Sequence, residues 1–227
     1  MAKQAQTAPY SLQHQWAILG VHRWGIVLLI FHLVGLVGLN LNSSRDLFLL
    51  LTPFNLLLTA TLLFWQHEHF NRPFILFATG IFLAGLGIEM IGVQTGIIFG
   101  HYTYGEALGP KIMETPWMIG VNWLVLIYAT GGIANRLAAP WWVKTMVAAS
   151  LMVVLDFFIE PVATCLGFWT WQEGIIPIQN YIAWWVVSSA MLVFFYKVRF
   201  SKDNPISPWV YGVQLLFFTG NLVLGNC

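Results

Sequence analysis

The chain of 227 residues is 58% hydrophobic and 8% charged, whereas a soluble domain carries roughly 25% charged residues. It cannot clothe a water-facing surface, so lipid is its expected solvent and an all-α polytopic membrane helix bundle its expected fold class. A formal net charge of +1, with no basic run, excludes nucleic acid as a partner.

The amino-terminal segment 1–16, MAKQAQTAPYSLQHQW, is polar. The apolar run behind it, at about 17–41, is of full spanning length and lacks a small-residue cleavage site, so it is expected to stay as the first helix. Further runs at about 47–65, 73–98, 117–138, 141–165, 180–199 and 207–224 bring the count to about seven helices, between six and eight. The breaks carry turn residues: Asn42 to Asp46, His67 to Pro73, Pro140, and Ser201 to Pro205. These are short loops, so residues 1–227 are expected to form a single membrane domain. No internal repeat supports an inverted-repeat transporter.

Lys3, Arg23, Arg72, Arg136, Lys144, Lys197, Arg199 and Lys202 fall on one side of such a bundle, and Arg45 and Lys111 on the other. Positive charge is enriched in cytoplasmic loops, which predicts a cytoplasmic amino terminus. The two longest connections, about 99–116 and 166–179, then share the outer side.

An ionisable group within the bilayer costs roughly 2.5–3.5 kcal/mol at a helix centre, so each needs a partner or a purpose. His32, Glu89, Asp156 and Glu160 are such groups, and helix counting puts all four in the outer half of the membrane. Glu89, for example, is expected about nine residues, or roughly 13 Å, from the outer end of its helix. Asp156 and Glu160 are spaced i, i+4 and share a helix face. There a neutral acid can stand beside an ionised carboxylate, the pairing that protonation and water activation require, with Glu89 as a third member. The structural alternative is that Asn122, Asn180 or His32 pairs with these acids only to hold helices together.

The outer loops are rich in aromatics and glycine: Phe99-Gly-His101-Tyr102-Thr-Tyr104-Gly in the first, Gly167-Phe-Trp169-Thr-Trp171 in the second. They form either an interfacial belt or a pocket whose ring faces stabilise a cation or line an apolar ligand. The stripe Gly85, Gly92, Gly96 and Gly100 is expected to let a neighbouring helix approach Glu89. Cys165 and Cys227 permit one disulfide at most and fit no ligand pattern. No spacing suggests a metal, haem or phosphate loop, so no metal and no cofactor are expected.

Three blocks of the chain resemble the membrane carotenoid biosynthesis proteins, a family that includes bisanhydrobacterioruberin hydratase and carotenoid 1,2-hydratases. They are Glu89-x-x-Gly92-x-x-Thr95-Gly96-x-x-Phe99-Gly100-x-Tyr102-x-Tyr104; Leu155-Asp156-x-x-x-Glu160-Pro161 with Trp169 and Trp171; and Pro177-x-x-Asn180-x-x-x-Trp184. Together they span about 85–185, the expected family-like core. Glu160 stands where the family commonly has Asp, and Ile176 and Ala183 replace glycines, changes that bear on pocket shape and substrate more than on reaction class.

The resemblance implies a cofactor-independent hydratase, a hydro-lyase that adds water to the terminal 1,2 double bond of an acyclic carotenoid and leaves a tertiary alcohol. Its partners would be a lycopene-, gamma-carotene- or bisanhydrobacterioruberin-like polyene, water and membrane lipid, in a bacterial or archaeal cytoplasmic membrane. Asp156 or Glu160 would donate the proton, with Glu89 as partner base. Thr95, Phe99, Tyr102, Tyr104, Trp169, Trp171, Asn180 and Trp184 would bind substrate, with His32, Asn122 and His101 as further candidates. A carotenoid cyclase or isomerase, a carotenoid-binding protein and a proton-coupled transporter remain the alternatives.

Overall fold

A computed structural model describes residues 12–224, with side chains from residue 22 onward. Residues 1–11 of the polar amino-terminal segment and Cys227 lie outside the described residues. Among the described residues, seven helices follow one another: α1 (Leu12–Asn40), α2 (Arg45–Trp65), α3 (Arg72–Thr95), α4 (Met118–Asn135), α5 (Trp141–Cys165), α6 (Ile178–Lys197) and α7 (Ser207–Val223). The first six, α1 from His22 onward, are long and apolar enough to cross a membrane. α7 has 17 residues, the lower end of the roughly 17–25 that a crossing requires. The protein is an all-α polytopic membrane bundle.

α4 is the central helix. It packs against α2, α3, α5, α6 and α7, and Trp123, Val125, Leu126, Ile127 and Tyr128 on it are fully buried. A helix that is apolar all round has no polar face to show solvent, and its place is the middle of a bundle. The outward faces of its neighbours are apolar too: Leu50, Phe54, Leu76, Ile91 and Phe157 are all exposed, as lipid-facing residues should be.

Local chemistry sets the helix ends. Asn71 caps α3, its side chain accepting a hydrogen bond from the Phe74 amide at 2.9 Å, and Pro73 sits in the first turn, where its missing N–H costs nothing. At the other end α3 stops at Thr95, short of the expected residue 98. Gly96 takes the left-handed conformation (φ +65°) and its N–H closes on the Gly92 carbonyl, a backbone state that glycine adopts without a Cβ clash. Glu89 is therefore about six residues, or roughly 9 Å, from this helix end, shallower than the count to residue 98 implies.

Two short antiparallel ribbons lie between the helices at this end. β1 (Tyr102–Tyr104), in the α3–α4 connection, pairs with β4 (Trp169–Trp171), in the α5–α6 connection. β2 (Lys111–Ile112) and β3 (Thr115–Pro116) form a hairpin turned by Met113 and Glu114, both at positive φ. The first ribbon joins two loops far apart in sequence and closes over the space between α3, α4, α5 and α6.

Candidate active site

The ribbon register is Tyr102 opposite Trp171, Thr103 opposite Thr170, and Tyr104 opposite Trp169. Gly105 N–H donates to the Phe168 carbonyl and Gln172 N–H to the His101 carbonyl, which makes both Tyr–Trp pairs non-hydrogen-bonded pairs, the kind whose side chains lie closer. Alternation along a strand sends the two threonines to one face and all four aromatics to the other, into the bundle.

Each strand serves one carboxyl. Tyr102 and Tyr104 donate their hydroxyls to Glu89 Oε2 at 2.6 and 2.7 Å. From α4, the Trp123 indole N–H donates to Glu89 Oε1 at 2.9 Å. Trp169 and Trp171 donate their indole N–H groups to Glu160 Oε2, each at 2.9 Å. Glu160 Oε1 accepts from Asn180 Nδ2 at 2.9 Å, and the same amide nitrogen donates to Asp156 Oδ2 at 3.0 Å. Glu89, Asp156, Glu160 and Asn180 are all buried. Burial beside Glu89 pushes the Tyr102 and Tyr104 hydroxyls well above the ordinary tyrosine range, so both remain O–H groups.

Glu89 and Glu160 line a chamber of about 20 Å³, with Asn122, Asn180 and a stacked Trp123–Trp184 pair (ring centroids 4.4 Å apart) among its walls. A single water needs roughly 10–15 Å³ of such space. Asp156 is not among the lining side chains. It stands one hydrogen bond behind, on the far side of the Asn180 amide, and its Oδ1 is buried without a partner among the described residues.

Next to the chamber is a larger, mainly apolar cavity of about 550 Å³. It runs between α1, α2, α4, α5 and α7, and Ile119, Asn122 and Trp169 form walls of both spaces. Phe31 and Phe54 at its rim are 51% and 63% exposed, so it opens sideways where lipid would lie. A long apolar molecule can enter from the bilayer and present one end to the carboxyls.

The structure brings most of the expected site residues together, with three exceptions. Thr95 is exposed at the end of α3, where its hydroxyl donates to the Ile91 carbonyl at 2.6 Å and accepts from Ile97 N–H. His101 is exposed and its ring lies over Gly96; neither residue lines the chamber or the cavity. His32 lines the large cavity and not the chamber, so the four membrane-embedded ionisable groups do not form one cluster. Phe99, Tyr102, Tyr104, Asn122, Trp169, Trp171, Asn180 and Trp184 do line the chamber. Trp123 and Ile119, missed in the sequence, look like ordinary core residues of an apolar helix. Only the fall of Trp123 within reach of Glu89 gives the indole its role.

Fold and site together define a polytopic membrane protein with two carboxyl groups around a water-sized chamber, fed by a cavity open to lipid. Residues 50–225 match the family described as carotenoid biosynthesis protein, and the chain belongs to that family. It is 29% identical over 133 residues to bisanhydrobacterioruberin hydratase of Haloarcula japonica, a stretch covering 53% of this chain and 43% of that protein. The matched stretch is thus less than half of the relative's length. No solved structure matches the chain.

Proposed function

We propose that this protein is a carotenoid hydratase, adding water across the terminal double bond of an acyclic polyene end to give a tertiary alcohol. The observation that carries this reading is the pair Glu89 and Glu160 on the walls of a chamber of about 20 Å³ at the end of a lipid-open cavity. Family membership and the hydratase named above support it. The polyene lies in the large cavity with its end at Asn122, where that cavity meets the chamber that holds the water.

Hydrogen-bond chemistry favours a division of labour opposite to the one expected from the sequence. Glu160 faces three N–H groups, from two indoles and an amide, and these can only donate. That surrounding suits a carboxylate, the form that takes a proton from water. Glu89 faces two hydroxyls and one indole, and a hydroxyl can turn to accept from a protonated acid.

Glu89 accordingly protonates the less substituted carbon of the alkene. As its proton leaves, both tyrosine hydroxyls donate to the new carboxylate, an interaction that strengthens as the charge develops. The tertiary cation forms against the Trp123–Trp184 stack, whose ring faces attract positive charge. Water hydrogen-bonded to Glu160 captures the cation and gives its proton to Glu160. Asp156 acts as a positioning residue, fixing the amide that holds Glu160.

The test is incubation of the purified protein with an acyclic carotenoid in ¹⁸O-labelled water. A hydratase yields an alcohol carrying the label. A cyclase or isomerase, using the same protonation, yields a product of unchanged mass and no solvent oxygen.

A further inference from the structure

The carboxyl, hydroxyl and amide groups around the chamber are committed to one another, with one exception. The Tyr102 and Tyr104 hydroxyls donate to Glu89, and the Asn180 amide nitrogen gives its hydrogens to Asp156 and Glu160. A carboxylate offers about four lone-pair positions. Three N–H groups occupy Glu160, which leaves one position for a water. The Asn122 side chain, by contrast, makes no hydrogen bond to any described residue. It is a partly buried amide in an apolar helix, where an unpaired polar group is costly.

Asn122 stands at the boundary of the two spaces. It and Ile119, one turn apart on α4, line both the chamber and the large cavity, as does Trp169. The Trp169 indole N–H is 2.9 Å from Glu160 Oε2, so Asn122 and a donor bonded to the carboxyl border one opening. Their depths agree. Asn122 is about four residues from the start of α4 and Glu160 about five from the end of α5, roughly 6 and 8 Å from the ribbon end. The chamber, about 20 Å³, has room for one water, and a molecule filling so small a space touches its walls on every side.

We propose that Asn122 is a catalytic residue of the hydration step: its Oδ1 accepts the O–H that the water keeps, while Glu160 accepts the O–H that the water loses. The role rests on the hydratase reading. With both hydrogens held, a lone pair of the water oxygen faces the cation across the opening. The C–O bond forms from that pair, the O–H bond toward Glu160 breaks with its electrons left on oxygen, and the proton passes to the carboxylate. While the oxygen carries positive charge, the hydrogen bond to Oδ1 is charge-assisted and stronger than in the resting site. Asn122 thereby decides how the cation ends. A water held at both hydrogens captures it; a water held at one turns away, and the cation returns to alkene.

The experiment runs the purified full chain on an acyclic carotenoid in heavy water. Mass spectrometry reads, from one sample, the alcohol formed and the recovered alkene that has taken up deuterium. Asn122→Leu keeps a side chain of similar size without an acceptor, and should lower the ratio of alcohol to deuterated alkene about tenfold. Asn122→Asp retains an acceptor oxygen and should hold the ratio within about threefold of wild type. The ratio is independent of how much of the sample is folded, so a loss of packing alone does not move it. If Asn122→Leu does not fold, Asn122→Ala, which also lacks the acceptor, must show the same fall. An unchanged ratio without the acceptor, or an equal fall in Asn122→Asp, overturns the role of Asn122 and leaves the hydratase reading standing. Wild-type protein that makes no alcohol overturns the hydratase reading and this role with it.

Discussion

Tyr102 and Trp171 stand directly opposite each other on the ribbon, with ring centroids 5.0 Å apart, yet they bond different carboxyls: Tyr102 reaches Glu89 and Trp171 reaches Glu160. The ribbon is thus the piece that sets the two carboxyls relative to each other, although neither belongs to it. Tyr102→Phe and Trp171→Phe each keep a ring and delete one donor. Each is expected to lower kcat/KM by about 10- to 100-fold. The double variant should lose less than the product of the two, since both act through one ribbon. Steady-state turnover of the four proteins measures this.

The roles of Glu89 and Glu160 are separable by isotope. Glu89→Gln and Glu160→Gln should each reduce hydration by about 10²- to 10⁴-fold, the usual worth of a general acid or base. In heavy water, Glu160→Gln retains the acid, so the cation still forms and returns to the alkene when the Glu89 carboxylate takes back a proton from the carbon that received the deuteron. Polyene recovered from that reaction should carry deuterium at its end group, whereas polyene recovered from Glu89→Gln should not. Mass spectrometry reads the difference, and the reverse pattern would reassign the acid.

Gly85 is required by close approach. A Cβ at this position would lie 2.5 Å from the Trp123 Cβ, and both residues are on buried, facing helices. Gly85→Ala should destabilise the protein by about 1–3 kcal/mol through overpacking and also displace the indole that donates to Glu89. Turnover should fall further than in Gly87→Ala, whose Cβ meets nothing within 4 Å. Melting temperatures and rates of the two variants test it.

The helices were legible because each crossing needs a long apolar run, and seven such runs are separated by turn residues in the chain. The depth of Asp156 and Glu160 followed from counting along those runs, whereas Glu89 proved shallower than its count. The end of α3 did not, because Ile97 and Ile98 continue the apolar pattern after Gly96 has already turned the backbone. The ribbon was visible only as Tyr-Thr-Tyr and Trp-Thr-Trp, two period-two fragments of three residues. Their pairing depends on how α4 and α5 bring the two loops together, which no local pattern encodes.

At the opposite end of the bundle, His67, in the α2–α3 connection, predicts a pH dependence of stability. Its ring is buried, with Nδ1 2.7 Å from the Tyr128 hydroxyl and Nε2 2.9 Å from the His69 carbonyl, and it stacks on Phe74 at 3.8 Å. Burial is the main cause that lowers its pKa from the ordinary histidine value, and the nearby charges of His69 and Lys202 add to the effect. The His69 carbonyl and Glu68 oppose it. The unfolded chain therefore binds a proton at His67 at a pH where the folded protein does not. The stability that this residue contributes is complete above the unfolded histidine value of about 6.5 and is lost as pH falls below it. Wild-type protein should melt several degrees lower at pH 5.5 than at pH 7.5. His67→Phe keeps the ring stack without a titrating nitrogen, so its melting temperature should change far less between the same two buffers. An equal drop in both proteins would locate the acid sensitivity in another group.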